Sequence, residues 1–250
     1  MRVALFVTCL IDLIRPNAGF AALRLLQQAG CEVVVPEQQT CCGQPAYNNG
    51  DADSARAIAR QVIDYLEGFS HVVIPSGSCA GMLVHHYPRL FDDDPAWRQR
   101  AEHLAQRCYE LSQFLVDVVG VTSFDARYSG KVSYHDSCSA RREMHVYEQP
   151  RVLLDKVEGL TLVEPGDSEQ CCGFGGTFSV KFPDISTAIV DKKTGSISET
   201  GADTLVAGDL GCLLNIAGRM SRQQKPVKAF HIAELLAGMT DDPLFPVDKK

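Results

Sequence analysis

Apolar positions along this chain fall into short continuous runs separated by longer stretches with helical spacing. Val3 to Thr8 is an apolar run that predicts a buried strand ending at Cys9. From Gly19 to Gln28 (GFAALRLLQQ) apolar residues recur with helical period, and Gly30 is placed to end that helix. Glu32 to Val35 predicts a second strand. Asp53 to Leu66 predicts a helix with Ala57, Ile58, Val62 and Leu66 on one face, and His71 to Ile74 a third strand. The same order then returns: strand Lys131 to His135, helix Pro150 to Val157, strand Leu160 to Val163, helix Ile185 to Ser198, strand Thr204 to Ala207. The segments that follow also correspond, Tyr109 to Leu115 resembling Phe230 to Leu236. Strand–helix alternation at this spacing predicts an α/β fold of βαβ units with mainly parallel sheets, present twice. Periodicity is lost between Asp117 and Gly130. The expected organisation is therefore one unit over residues 1–120, a second over 130–240, and a loose tail over 241–250.

Composition narrows the function. With 45% hydrophobic and 22% charged residues in 250, the chain is an ordinary globular protein. Its net charge of −7 argues against a nucleic-acid surface, which needs a clustered basic face. No apolar stretch approaches the roughly 18 residues of a membrane span. The run after Arg2 is short and is followed by Asp12 and Arg15, so it reads as a strand and not as a secretion signal. Ten cysteines without such a signal imply a reducing, cytoplasmic compartment, where clustered thiols are metal-binding or redox-active and disulfides are rare.

Eight of those ten cysteines form one pattern in two copies. Cys9, Cys41-Cys42-Gly43 and Cys79 are matched by Cys138, Cys171-Cys172-Gly173 and Cys212, with offsets of 129 to 133 residues. Cys31 and Cys108 have no counterparts and read as packed core or surface thiols. Each patterned cysteine follows a predicted strand. Ligands of open α/β sheets gather beyond the carboxyl ends of the strands, so four thiols distant in sequence can converge at one edge. Thiolates are soft donors suited to zinc, iron and iron–sulfur clusters. Adjacent cysteines in an extended chain point opposite ways, so aiming both at one centre needs a tight turn, which Gly43 and Gly173 permit. In the second copy, Gly175 and Gly176 extend the turn to CCGFGG, letting backbone N–H groups approach sulfur.

These motifs resemble the cysteine-rich CCG domain of iron–sulfur electron-transfer proteins. That family includes the cysteine-rich component of heterodisulfide reductase and the iron–sulfur components of glycolate oxidase and anaerobic glycerol-3-phosphate dehydrogenase. Tyr134-His135-Asp136-Ser137-Cys138 is similar to the family's YHDPC signature, with Ser137 in place of Pro. The resemblance implies two tandem Rossmann-like CCG domains related by a pseudo-twofold repeat. It further implies one or two iron–sulfur clusters, of the four-iron four-sulfur kind, on Cys9, Cys41, Cys42, Cys79, Cys138, Cys171, Cys172 and Cys212. The implied role is electron transfer in a cytoplasmic complex that oxidises L-lactate to pyruvate, with partner subunits that include a ferredoxin-type iron–sulfur protein. The fullest family pattern closes with C-x-x-C. Here Met82 and Asn215 stand at the final position, leaving four thiols per half.

Two other readings of the same thiols stay open: a thiol–disulfide reductase working through the Cys-Cys pairs, and a docking protein stabilised by zinc, in one half or both. No G-x-G-x-x-G follows the first strand of either half, so no nicotinamide or flavin fingerprint is present. Beside Cys138, His135, Asp136 and Arg141 are weak catalytic candidates. The plainer expectation packs His135 at its strand end, uses Asp136 as a cap and leaves Arg141 on a solvated face. His85-His86 is expected on an exposed helix.

Overall fold

Short apolar runs become strands, and the polar-faced stretches between them become helices, in a computed structural model that describes residues 1–225 and 227–245. In the first half, β1 (Arg2–Leu5), β2 (Glu32–Val34), β3 (Val72–Ile74) and β4 (Cys108–Glu110) form a sheet of order β2-β1-β3-β4. In the second, β5 (Arg127–His135), β6 (Glu158–Leu162), β7 (Thr204–Ala207) and β8 (Lys228–His231) form a sheet of order β6-β5-β7-β8. All six strand pairings are parallel. A parallel sheet is covered on both faces. Accordingly Val3, Ala4, Leu5, Val72, Val73 and Ile74 are all fully buried.

The helix Ala52–Leu66 shows how the faces are covered. It buries Ala55, Ala59, Val62, Ile63 and Leu66, a single stripe at helical spacing, and Asp51 caps its start by accepting from the Ser54 N–H at 3.1 Å. Each large apolar side chain so buried contributes about 1.5–3 kcal/mol. The helix Pro16–Gln28 starts three residues before the predicted Gly19, because Pro16 occupies its first turn where no N–H is needed.

Three strands differ from expectation. β4 and β8 lack a sequence signal because each is short and runs straight into a polar capping box, Glu110 with Gln113 and His231 with Glu234. β5 begins at Arg127, inside the stretch that lacks periodicity. Its register shifts between Arg127 and Gly130, and that irregularity breaks the alternation.

The halves share a core. One apolar cluster contains Val3, Leu5 and Leu25 together with Val132, Tyr134, Phe230 and Ile232. The seam is also polar. Arg15 Nε donates to Glu234 Oε1 at 2.8 Å, with the two side chains 8% and 0% exposed. Asp209 accepts from Ser76 Oγ at 3.1 Å and from the Ser78 N–H at 3.0 Å. His85 and His86 also belong to the seam, contrary to the expected exposed helix. Their Nε2 atoms lie 2.9 and 3.3 Å from Glu143 O and Oε1. A Cβ on Gly77 would sit 2.5 Å from that of Ala140, so only glycine allows the helix carrying Cys79 to approach the one carrying Cys138. Of the tail expected to be loose, residues 246–250 lie outside the described residues. The part before them is held, with the Leu244 N–H donating to Ala229 O at 2.9 Å and Asp242 accepting from Arg15 Nη1 at 3.2 Å.

Candidate metal centre

The eight patterned cysteines gather as two groups of four, one per half. Sequence reasoning places each of them just past a strand end, with Cys79 on a loop. In the structure the Cys-Cys pairs lie on loops and the other four on short helices or in a first helical turn. Cys9 opens the helix Cys9–Ile14, Cys79 lies in Gly77–Gly81, Cys138 opens Cys138–Arg142, and Cys212 is in the first turn of Leu210–Arg222. In the first half Cys9 Sγ is 3.6 Å from Cys41 Sγ, and Cys42 Sγ is 3.3 Å from Cys79 Sγ. In the second half Cys172 Sγ is 2.9 Å from Cys212 Sγ, and the Cys138 thiol is near enough to Cys171 for the two to shift each other's acidity. All ten cysteines are free, and of the two readings open for Cys31 and Cys108 the structure takes the core one, since both are buried.

The turns explain the convergence. Gly43 and Gly173 adopt φ of 82° and 79°, the left-handed region that side chains avoid. A Cβ on Gly173 would lie 2.7 Å from Ser186 O, whereas one on Gly43 would meet nothing closer than Ile58 at 3.4 Å. Gly175 and Gly176 are also left-handed, at 52° and 62°. The turn aims backbone donors at sulfur: the Gly173 N–H reaches Cys171 Sγ at 3.3 Å and the Phe174 N–H reaches Cys172 Sγ at 3.5 Å.

Such packing of thiols separates their acidities. Donation from the Cys42 and Cys9 thiols lowers Cys41 to about 3, helped by the Gly43 N–H. Donation from Cys138 and Cys172 lowers Cys171 to about 2, helped by the Gly173 N–H. Their neighbours Cys9, Cys42, Cys138 and Cys172 are pushed up, first by the hydrogen bond each gives and then by burial. The leading cysteine of each pair is thus the first thiolate to form. Four soft donors converge in each half, and that set fits zinc or an iron–sulfur cluster.

The remaining candidates are placed as follows. Asp136, 4% exposed, is held by Arg151 through two bonds of 3.0 and 2.8 Å. Arg141 bonds Glu169 Oε1 at 2.8 Å and stacks on Tyr147, 4.3 Å from the ring centre. His135 is 1% exposed, and burial lowers it to about 3, so it is neutral. Its ligating atoms and those of Cys172 and Cys212 all lie within 4.8 Å of one another.

Two residues escape sequence reasoning. Lys193 is fully buried and donates to the carbonyls of Asp167 and Ser168 at 3.0 and 3.3 Å, bracing the loop that leads into Cys171. A signal for it exists, since it stands on the buried phase of the helix Pro183–Glu199 with Ser186, Val190 and Ile197. Phe174 joins the two halves. It lines a cavity of about 230 Å³ that also touches Cys9, Cys41, Cys42 and Cys79, while its own N–H points at Cys172.

Comparison with known proteins agrees with this geometry. The profile of the cysteine-rich CCG domain matches residues 3–84 and 132–217, once per half. Lactate utilization protein A of Bacillus cytotoxicus is 50% identical over 236 residues, covering 94% of this chain and 98% of that protein. Its counterpart in Bacillus cereus strain G9842 is 49% identical over the same length. Among solved structures, a hypothetical protein from Helicobacter pylori superposes with a TM-score of 0.65 at 12% identity. That match covers 96% of this chain but spans only 49% of the other, so it speaks to the fold alone. The sequence, the paired thiol groups and these relatives together show that the chain belongs to the cysteine-rich CCG domain family, in the group of lactate utilization protein A.

Proposed function

We propose that this protein is the iron–sulfur electron-transfer component of a cytoplasmic multi-protein system that oxidises L-lactate to pyruvate. The observation that carries the reading is the convergence of four thiols in each half, in a relative of proteins named for lactate utilization. Cys9, Cys41, Cys42 and Cys79 would hold one centre, and Cys138, Cys171, Cys172 and Cys212 the other. Each centre sits in its own unit, residues 1–120 and 130–240, with Gly43, Gly173, Gly175 and Gly176 shaping the turns around it.

A bound four-iron cluster supplies reversible one-electron chemistry. The protein's part is to set how readily that electron is accepted. The N–H groups of Gly173 and Phe174 spread negative charge away from sulfur, and burial of Cys42, Cys172 and Cys212 keeps water from it. Hydride abstraction from lactate and the onward ferredoxin-type clusters fall to partner subunits. No helix among the described residues is long and apolar enough to cross a membrane.

The test is iron, acid-labile sulfide and zinc content, with an optical spectrum, on protein purified without oxygen. Brown protein with about four iron and four sulfide per centre, halved when Cys171 and Cys172 become Ser, is the expected result. Colourless protein with zinc would replace the reading by a structural docking role. Metal-free protein with reactive Cys41 and Cys171 would replace it by thiol–disulfide exchange.

A further inference from the structure

We propose that His135 is a nitrogen ligand of the second centre, giving that half a mixed thiolate–imidazole donor set while the first half uses sulfur alone. The inference deepens the reading above and rests on the second half holding a metal centre.

Three observations converge. His135 closes the central strand β5 at 1% exposure, yet neither ring nitrogen has a hydrogen-bond partner among the described residues. Buried polar groups are nearly always paired, and an orphan costs about 1–3 kcal/mol. The position of the ring gives the reason, because its ligating atom and the sulfurs of Cys172 and Cys212 fit within 4.8 Å. Ligands at about 2.0–2.1 Å for nitrogen and 2.3 Å for sulfur span about 4.4 Å at most from nitrogen to sulfur across one metal, so a small inward closing of this group brings all three onto a single ion. A metal there satisfies a nitrogen that the protein leaves unpaired.

The first half supplies the control. Three residues before Cys9, where His135 precedes Cys138, stands Phe6, fully buried in the apolar cluster that holds Cys42 and Cys79. The scaffold therefore accepts a hydrocarbon at this place. A core histidine with no partner in the second half is a departure that packing does not require. Asn215, at the third position after Cys212, donates to Cys172 O at 2.8 Å and so braces the pair. His135 is then the fifth donor of the second half.

The experiment uses the full chain, purified without oxygen from cells fed ¹⁵N-histidine, reduced and examined by pulsed electron paramagnetic resonance. A directly bonded ¹⁵N coupling is expected in the wild type and absent in His135→Phe, a change that installs the residue the first half already tolerates. His135→Cys should keep its iron, lose the nitrogen coupling and shift the second centre to lower potential, since imidazole in place of thiolate raises it. Iron-loaded wild type without the coupling, or a coupling that survives in His135→Phe, overturns the assignment. If the protein holds no iron, the electron-transfer reading fails separately. The ligand is then read by cobalt(II) titration, where His135→Phe should weaken binding at least tenfold with loss of the mixed-ligand spectrum. Unchanged affinity and spectrum overturn it there.

Discussion

The two halves share topology, strand order and thiol pattern, but differ in what surrounds the thiols. Ile58 packs on Gly43 and Ile189 on Gly173, which fixes the equivalence of the two covering helices. Four residues further along each helix stand Val62 and Lys193, both fully buried. With Phe6 opposite His135, the first site is walled by hydrocarbon and the second by an imidazole and an ammonium. Lys193 interacts electrostatically with Cys172, Cys212 and Asp136. The duplicated framework holds the thiols in both halves, and the surrounding residues are where the halves have specialised.

The strongest way to break this comparison is to remove one centre. Cys171→Ser with Cys172→Ser should abolish metal in the second half and leave the first loaded, halving total iron, and Cys41→Ser with Cys42→Ser should do the reverse. Loss of both centres from either pair, read by metal analysis, would show that the halves do not act independently.

Next in size is the asymmetry of the turns. Gly173→Ala combines left-handed strain with a 2.7 Å approach to Ser186 O and should cost about 3 kcal/mol or more. Gly43→Ala meets only ordinary contacts and should cost about 1–2 kcal/mol. Urea denaturation of the two variants measures the difference.

The capping boxes offer a comparison of opposite sign. Burial raises Glu110 to about 7 and lowers its counterpart His231 to about 4. For Glu110 the unfolded chain releases its proton first, so its contribution is full below about pH 4.5 and is lost as pH rises through 7, by about 3 kcal/mol. For His231 the unfolded chain binds the proton first, so its contribution is full above about pH 6.5 and is lost as pH falls through 4, by a similar amount. Glu110→Gln should therefore flatten the decline toward neutrality, and His231→Asn the decline toward acid. Stability measured from pH 4 to pH 8 would expose slopes that coincide or carry the wrong sign.

The smallest contrast concerns two arginines of the second half. Arg151 holds the buried Asp136, so Arg151→Ala should cost about 3 kcal/mol. Arg141 pairs closely only with a glutamate that is 63% exposed and approaches Asp136 no nearer than 3.7 Å, so Arg141→Ala should cost about 1 kcal/mol. Equal losses in thermal or urea unfolding would mean that Arg141 shares the holding of Asp136 equally with Arg151.

Much of this is legible in the sequence because the same residues recur in register. The eight cysteines, the glycines behind them and six of the eight strands follow from periodicity and spacing. β4 and β8 do not, since three or four residues ending in a polar cap carry no alternation of their own. Nor does the seam. Gly77 against Ala140 and His86 against Glu143 are contacts between segments about 60 residues apart, and no local pattern announces them. Lys193 is readable as a charge on an apolar stripe, but its meaning depends on knowing that the stripe faces the thiols.

The bond from Arg15 to Glu234 has a consequence for how the protein is made. The first half is complete in sequence long before residue 234 leaves the ribosome. At about 5–20 residues per second, the wait is on the order of ten seconds. Throughout it Arg15 has no carboxylate partner, and the apolar face that will meet β8 and its following helix stays wet. Until then the flank of the first half that carries Arg15 stays uncovered, the stage at which chaperones have their widest access to it.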